Sequence, residues 1–81
     1  MKLQILMFGP VADAAGTESL QLEIPAAIPV RQALELLVAE FPDLERLLGS
    51  TAVAVNRAYA TVNSEVTDGD ELALIPPVSG G

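Results

Sequence analysis

Thr67-Asp-Gly-Asp-Glu-Leu-Ala-Leu-Ile-Pro-Pro-Val-Ser-Gly-Gly81 (TDGDELALIPPVSGG) closes the chain, and the way this stretch divides decides the fold. Asp68-Gly69-Asp70 has the residue types of a tight turn: glycine takes positive φ freely, and aspartate bonds nearby backbone N–H groups. Leu72 to Ile75 follows as a strand that is apolar on both faces, Leu72 and Leu74 on one, Ala73 and Ile75 on the other. Pro76-Pro77 forbids its extension, since neither residue can donate to a ladder. The last four residues, Val78, Ser79, Gly80 and Gly81, end without side chains. Glycine loses the most backbone entropy on ordering, so a Gly-Gly ending is a poor anchor. The division predicts a domain over 1–75 and an extended tail over 76–81, which is either a frayed end or a thread that carries the terminal carboxylate, as the working group, into another protein.

Upstream, Leu3 to Phe8 alternates as a first strand, with Leu3, Ile5 and Met7 on one face and Gln4, Leu6 and Phe8 on the other. Gly9-Pro10 stops it. Leu20, Leu22 and Ile24 alternate with Gln21 and Glu23 in a second strand closed by Pro25, which permits an antiparallel hairpin with a wide loop across Pro10 to Thr17. Val30, Ala33, Leu34, Leu37, Val38 and Phe41 recur at helical spacing, so Pro29 to Phe41 reads as the main helix. Pro29 suits its first turn, Pro42 ends it, and no conventional capping residue precedes it. Asp43 to Leu48 reads as a further helical turn with Asp43 as cap and Gly49 as stop. Thr51 to Asn56 is β-prone, and Tyr59 to Val62 is a weaker strand. The sum is an α+β roll, with one main helix packed across a mixed sheet of four to five strands.

One helix covers only one face of such a sheet. The first and last strands are nevertheless apolar on both, so either loops cover the second face or Leu6, Phe8 and Ile75 form an exposed patch where a partner docks, and the patch is the expectation.

At 81 residues the chain is one domain, and its 51% hydrophobic content with a mean hydropathy of +0.44 excludes disorder. Cysteine and histidine are both absent, which removes thiolate nucleophiles, sulfur-ligated metals and the usual neutral-pH base. No metal site, no bound cofactor and no independent enzyme are expected. The net charge of −7 repels nucleic acid and anionic membranes and steers the chain toward a basic partner. The apolar opening is broken by Gln4 and too short for a signal peptide, so a core strand and a cytoplasmic location are expected.

The closing TDGDELALIPPVSGG, taken with the opening LMFGPVADAAG, resembles the small subunits of molybdopterin synthase, a family of ubiquitin-like β-grasp sulfur carriers. The likeness spans the chain in length, element order, turn and tail. It departs at Ala12-Asp13, where the family often carries an Arg-Glu pair.

The resemblance implies a β-grasp fold and a cycle of sulfur transfer. A ubiquitin-activating-like adenylyltransferase, using ATP and magnesium, would adenylate the Gly81 carboxylate. A persulfide donor protein would then convert it to a thiocarboxylate. In a heterotetramer of two small and two large subunits, that sulfur would pass to cyclic pyranopterin monophosphate to build the molybdopterin dithiolene. Gly80 and Gly81 would fit a channel too narrow for a Cβ, behind the stiff Pro76 and Pro77. Val78 and Ser79 would also lie in the partner's channel, while Phe8, Tyr59 and Ile75 match family positions that contact partners. Thiamine thiazole synthesis, tRNA thiolation, protein modification and a plain β-grasp interaction module are the competing readings.

Overall fold

The computed structural model describes residues 1–77. Strand β1 (Lys2–Met7) is followed by helix α1 (Gly9–Ala15), strands β2 (Ser19–Glu23) and β3 (Ile28–Pro29), and the main helix α2 (Val30–Glu40). A 3-10 turn (Pro42–Leu44) leads into the short helix α3 (Glu45–Leu48). Strands β4 (Ala52–Val55), β5 (Ala58–Ala60), β6 (Glu65–Val66) and β7 (Glu71–Ile75) complete the described chain.

Five strands form one sheet in the order β2-β1-β7-β4-β5. β1 and β7 run parallel, with Ile5 opposite Leu72 and Met7 opposite Leu74; the other pairings are antiparallel. β3 and β6 make a separate two-stranded ribbon. This mixed sheet grasping one principal helix is the β-grasp roll expected from the resemblance.

Alternation decides the core. Leu3, Ile5 and Met7 of β1 and Leu72 and Leu74 of β7 are shut off from solvent beneath α2, whose Val30, Ala33 and Leu37 are likewise buried. Leu34, Val38 and Phe41 flank that stripe half-buried. α2 lacks a side-chain cap, as its sequence implies. Its first N–H groups are satisfied by backbone instead: Val30 donates to the Ser64 carbonyl (2.8 Å) and Arg31 to that of Val62 (2.9 Å). The loop before β6 therefore serves as the cap, supplying the partners that helix termini need.

Three expectations are corrected. The stretch from Pro10 to Thr17 is not a wide loop, because most of it is α1. Pro10 occupies the first turn, where its missing N–H costs nothing, and Gly16 closes the helix in the left-handed region at φ 76. α1 sinks Val11 and Ala12 into the core. Asp43 does not cap α3; it lies inside the 3-10 turn, its carboxylate 3.7 Å from Arg46. Gly49 does follow the last residue of that helix as its stop, but with φ −62 it does so without the left-handed turn that glycine usually supplies.

The Asp68-Gly69-Asp70 turn forms as read, with Gly69 at φ 84. It also ties the two central strands together: the Lys2 N–H donates to Asp68 Oδ1 (2.7 Å), and the Gln4 N–H to the Asp70 carbonyl (2.9 Å).

Candidate functional site

β7 lies at the centre of the sheet and runs parallel to β1, so both strands finish at the same end. There Ile75 pairs with Ala52, and the chain leaves the sheet through Pro76 and Pro77. Pro76 is half-buried and Pro77 exposed. The Pro76 ring packs on the β1–α1 corner, its Cγ only 3.4 Å from where a Cβ on residue 9 would sit; Gly9, at φ 55, leaves that space open. Val78, Ser79, Gly80 and Gly81, to which the sequence assigns the chemistry and its channel, lie outside the described residues.

The outer face of the sheet, opposite α2, carries an apolar surface, of which Phe8 is exposed as expected while Leu6 and Ile75 are half-buried. The strand registers set Leu6 beside Ala73, Ala73 beside Ala54, and Ala54 beside Tyr59, making one row across four strands. Nearer the tail, Phe8 and Ile75 extend it. Together these side chains line a shallow groove of about 360 Å³. Phe8 is 49% exposed and Tyr59 80%, the largest exposure of any bulky apolar side chain among the described residues. Both come from short backbone segments that cannot bury them: Phe8 sits in the single-residue link before α1, and Tyr59 in the edge strand β5. The structure thus brings Phe8, Tyr59 and Ile75 to one groove on the outer face, while Pro76 packs at the β1–α1 corner and does not line it.

The far end of the groove is charged, which the sequence reading missed. Val55 and Ala58 are joined by a two-residue turn in which both Asn56 (φ 50) and Arg57 (φ 70) are left-handed. Asn56 tolerates this conformation and is locked in place. Its backbone N–H donates to the Glu71 carbonyl (2.8 Å), its Oδ1 accepts the Glu71 N–H (3.0 Å), and its Nδ2 donates to Asp70 Oδ1 (3.0 Å). Asp70 also accepts the Thr67 N–H (2.8 Å). The Asn56 amide first, and the Thr67 N–H second, hold the Asp70 carboxyl below its ordinary range against a small opposing effect of burial.

Arg57 takes the second turn position, where glycine is the usual residue. A side chain in the left-handed region costs about 1–2 kcal/mol. Among the described residues its one ion pair, Nε to Glu71 Oε1 at 3.9 Å, leaves the side chain 89% exposed. An exposed pair of that kind returns at most about 1 kcal/mol. Among the described residues, the contacts of Arg57 therefore do not account for its presence in the turn.

Among the described residues, no group of three acidic side chains is placed to hold a metal ion, and no helix is long and apolar enough to cross a membrane.

A model of the ThiS family matches residues 5–81. Over 81 residues, covering 100% of this chain and 84% of its relative, the sequence is 35% identical to the molybdopterin synthase sulfur carrier subunit of Arabidopsis thaliana. The crystal structure of SAMP1 from Haloferax volcanii superposes with a TM-score of 0.88 at 31% identity, covering 100% of both chains. A chain from the complex of subunits 1 and 2 of molybdopterin-converting factor of Helicobacter pylori 26695 superposes at a TM-score of 0.70 and 28% identity, again covering 100% of both.

Proposed function

Because this chain belongs to the ThiS family of ubiquitin-like sulfur carriers, we propose that it is the sulfur carrier subunit of molybdopterin synthase, acting in molybdenum cofactor biosynthesis. The observation that carries this reading is agreement over the full length: the Arabidopsis thaliana molybdopterin synthase sulfur carrier subunit aligns over all 81 residues, so the match takes in the Gly-Gly terminus along with the strands that frame the groove. The Helicobacter pylori relative is by description a two-subunit complex, which supports a large-subunit partner here.

The chemistry starts at the Gly81 carboxylate. With a pKa of about 3.3–3.7, an α-carboxylate is an anion at neutral pH and resists nucleophiles. An adenylyltransferase with ATP and magnesium turns it into an acyl adenylate, releasing pyrophosphate. The terminal sulfur of a donor persulfide attacks the acyl carbon and AMP leaves. A donor thiol then attacks the other sulfur of the acyl disulfide, freeing the thiocarboxylate and closing a disulfide on the donor. Division into steps with good leaving groups is what makes the displacement feasible. None of this machinery need reside in a chain without cysteine or histidine, which acts as the sulfur-donating half of a two-component sulfurtransferase.

Two transfers to cyclic pyranopterin monophosphate complete the dithiolene. The groove from Phe8 to Tyr59 docks the large subunit, Pro76 and Pro77 stiffen the exit, and Val78 to Gly81 thread the channel. Two small and two large subunits make the assembly, in the cytoplasm.

The likeness to SAMP1, small archaeal modifier protein 1 by name, favours a second use of the same terminus, the modification of other proteins. The test is to incubate the thiocarboxylated chain and its large subunit with cyclic pyranopterin monophosphate. Dithiolene formation is expected. Failure there, with sulfur delivered instead to a thiazole precursor or the chain recovered attached to other proteins, overturns the assignment.

A further inference from the structure

The hairpin residue Arg57 stands out for what it does not gain from the described residues of its own chain. It holds a backbone conformation that glycine would take freely (φ 70), its ion pair to Glu71 is long (3.9 Å) and exposed, and no other partner holds the guanidinium among the described residues. The hairpin imposes the conformation, but a long side chain kept there, where glycine would fit without strain and no partner among the described residues repays the cost, points to a role outside the fold.

Its setting supplies that role. Arg57 is the only cation lining the groove among the described residues, in a chain of net charge −7. We propose that Arg57 is a specificity-determining contact, pairing with a carboxylate on the protein that docks over Phe8 and Tyr59. This deepens the functional reading above and rests on it.

Geometry limits where the partner's carboxylate lies. Arg57 pairs with Glu71, at the start of β7, and the tail leaves after Ile75 at its end. Four residues of strand separate these points by about 13 Å, at ~3.3 Å per residue. The carboxylate therefore sits about 13 Å from the mouth of the channel that takes the tail, across the apolar floor of the groove. A partner steered in by a generally basic surface, yet carrying one acid at that distance, is held in a single register. A shift along the groove leaves Arg57 and the partner's acid both unpaired, so the pair discriminates as well as binds.

The test measures affinity of the full chain for the purified molybdopterin synthase large subunit by calorimetric titration, alongside melting temperature. Arg57→Gly relieves the turn, so its melting temperature is expected to hold or rise while Kd weakens roughly tenfold, the scale of one charge-assisted contact. Arg57→Glu keeps the strained backbone and reverses the charge, and weakens Kd further. Carboxylate-to-lysine variants of the large subunit are then titrated with Arg57→Glu, and one of them is expected to restore binding. If wild type binds and both Arg57 variants bind equally well, or no reversed carboxylate restores affinity, the Arg57 proposal is overturned and the functional reading stands. If wild type itself fails to bind, the functional reading falls and this proposal with it.

Discussion

Replacing Tyr59 by alanine separates docking from folding more cleanly than any other change on the outer face. Tyr59 is 80% exposed, so the folded chain takes little from its ring. An aromatic side chain buries ~150–250 Å² when covered, which leaves about 160 Å² for a partner to cover. At ~25 cal/mol per Å², full coverage is worth about 4 kcal/mol and half coverage about 2 kcal/mol. The smaller figure corresponds to a ~30-fold weaker Kd. The folded state loses only strand preference and the edge of the ring, about 1 kcal/mol. For a domain of this size that is a fall of roughly 4–8 °C in Tm. Titration of the large subunit with wild type and Tyr59→Ala, paired with scanning calorimetry of each, checks both numbers. Unchanged affinity, or a collapse of the melting transition instead of the binding isotherm, refutes the reasoning.

Leu74→Ala should do the opposite. Leu74 is fully buried between Met7 and Val53, so truncation removes about 2–5 kcal/mol from the urea-unfolding free energy. A loss below about 1 kcal/mol would contradict the placement of that strand face in the core. Asp70 sets an acid limit. Its carboxyl lies below the ordinary 3.8 when folded, so on acidification the unfolded chain takes up the proton first. The stabilisation is whole above about 3.8 and drains away as pH falls through the lower folded value. Asp70→Ala should flatten that acid limb of the urea midpoint against pH, and an unaltered slope speaks against the Asn56–Asp70 link. Deleting Gly81, or adding one residue after it, should abolish sulfur transfer while leaving Tm where it was; transfer surviving either change argues against a terminal acyl carrier.

Long regular patterns were legible without coordinates. β1, β2 and β7 follow from strict alternation, α2 from its apolar stripe, and the outer groove from β1 and β7 being apolar on both faces. α1 escaped because Gly9-Pro10 ends a strand and starts a helix with the same two residues, and only the second role buries Val11. β3 and β6 are two residues each, too short for any period to show, and their value lies in carrying the backbone that caps α2. Arg57 was hidden for a different reason. Its left-handed backbone is imposed by the β4–β5 register and the clamp of Asn56 on β7, so the local residue type gives no sign of it.

Most of the chain, on this account, is a stage for its last atom. Intact-mass analysis after incubation with a cognate adenylyltransferase, ATP, magnesium and a persulfide donor tests that most directly. The account predicts one oxygen replaced by one sulfur, located at Gly81 by fragmentation and lost when Gly81 is removed. A chain that keeps its original mass, yet still supplies sulfur to the pterin, would contradict it.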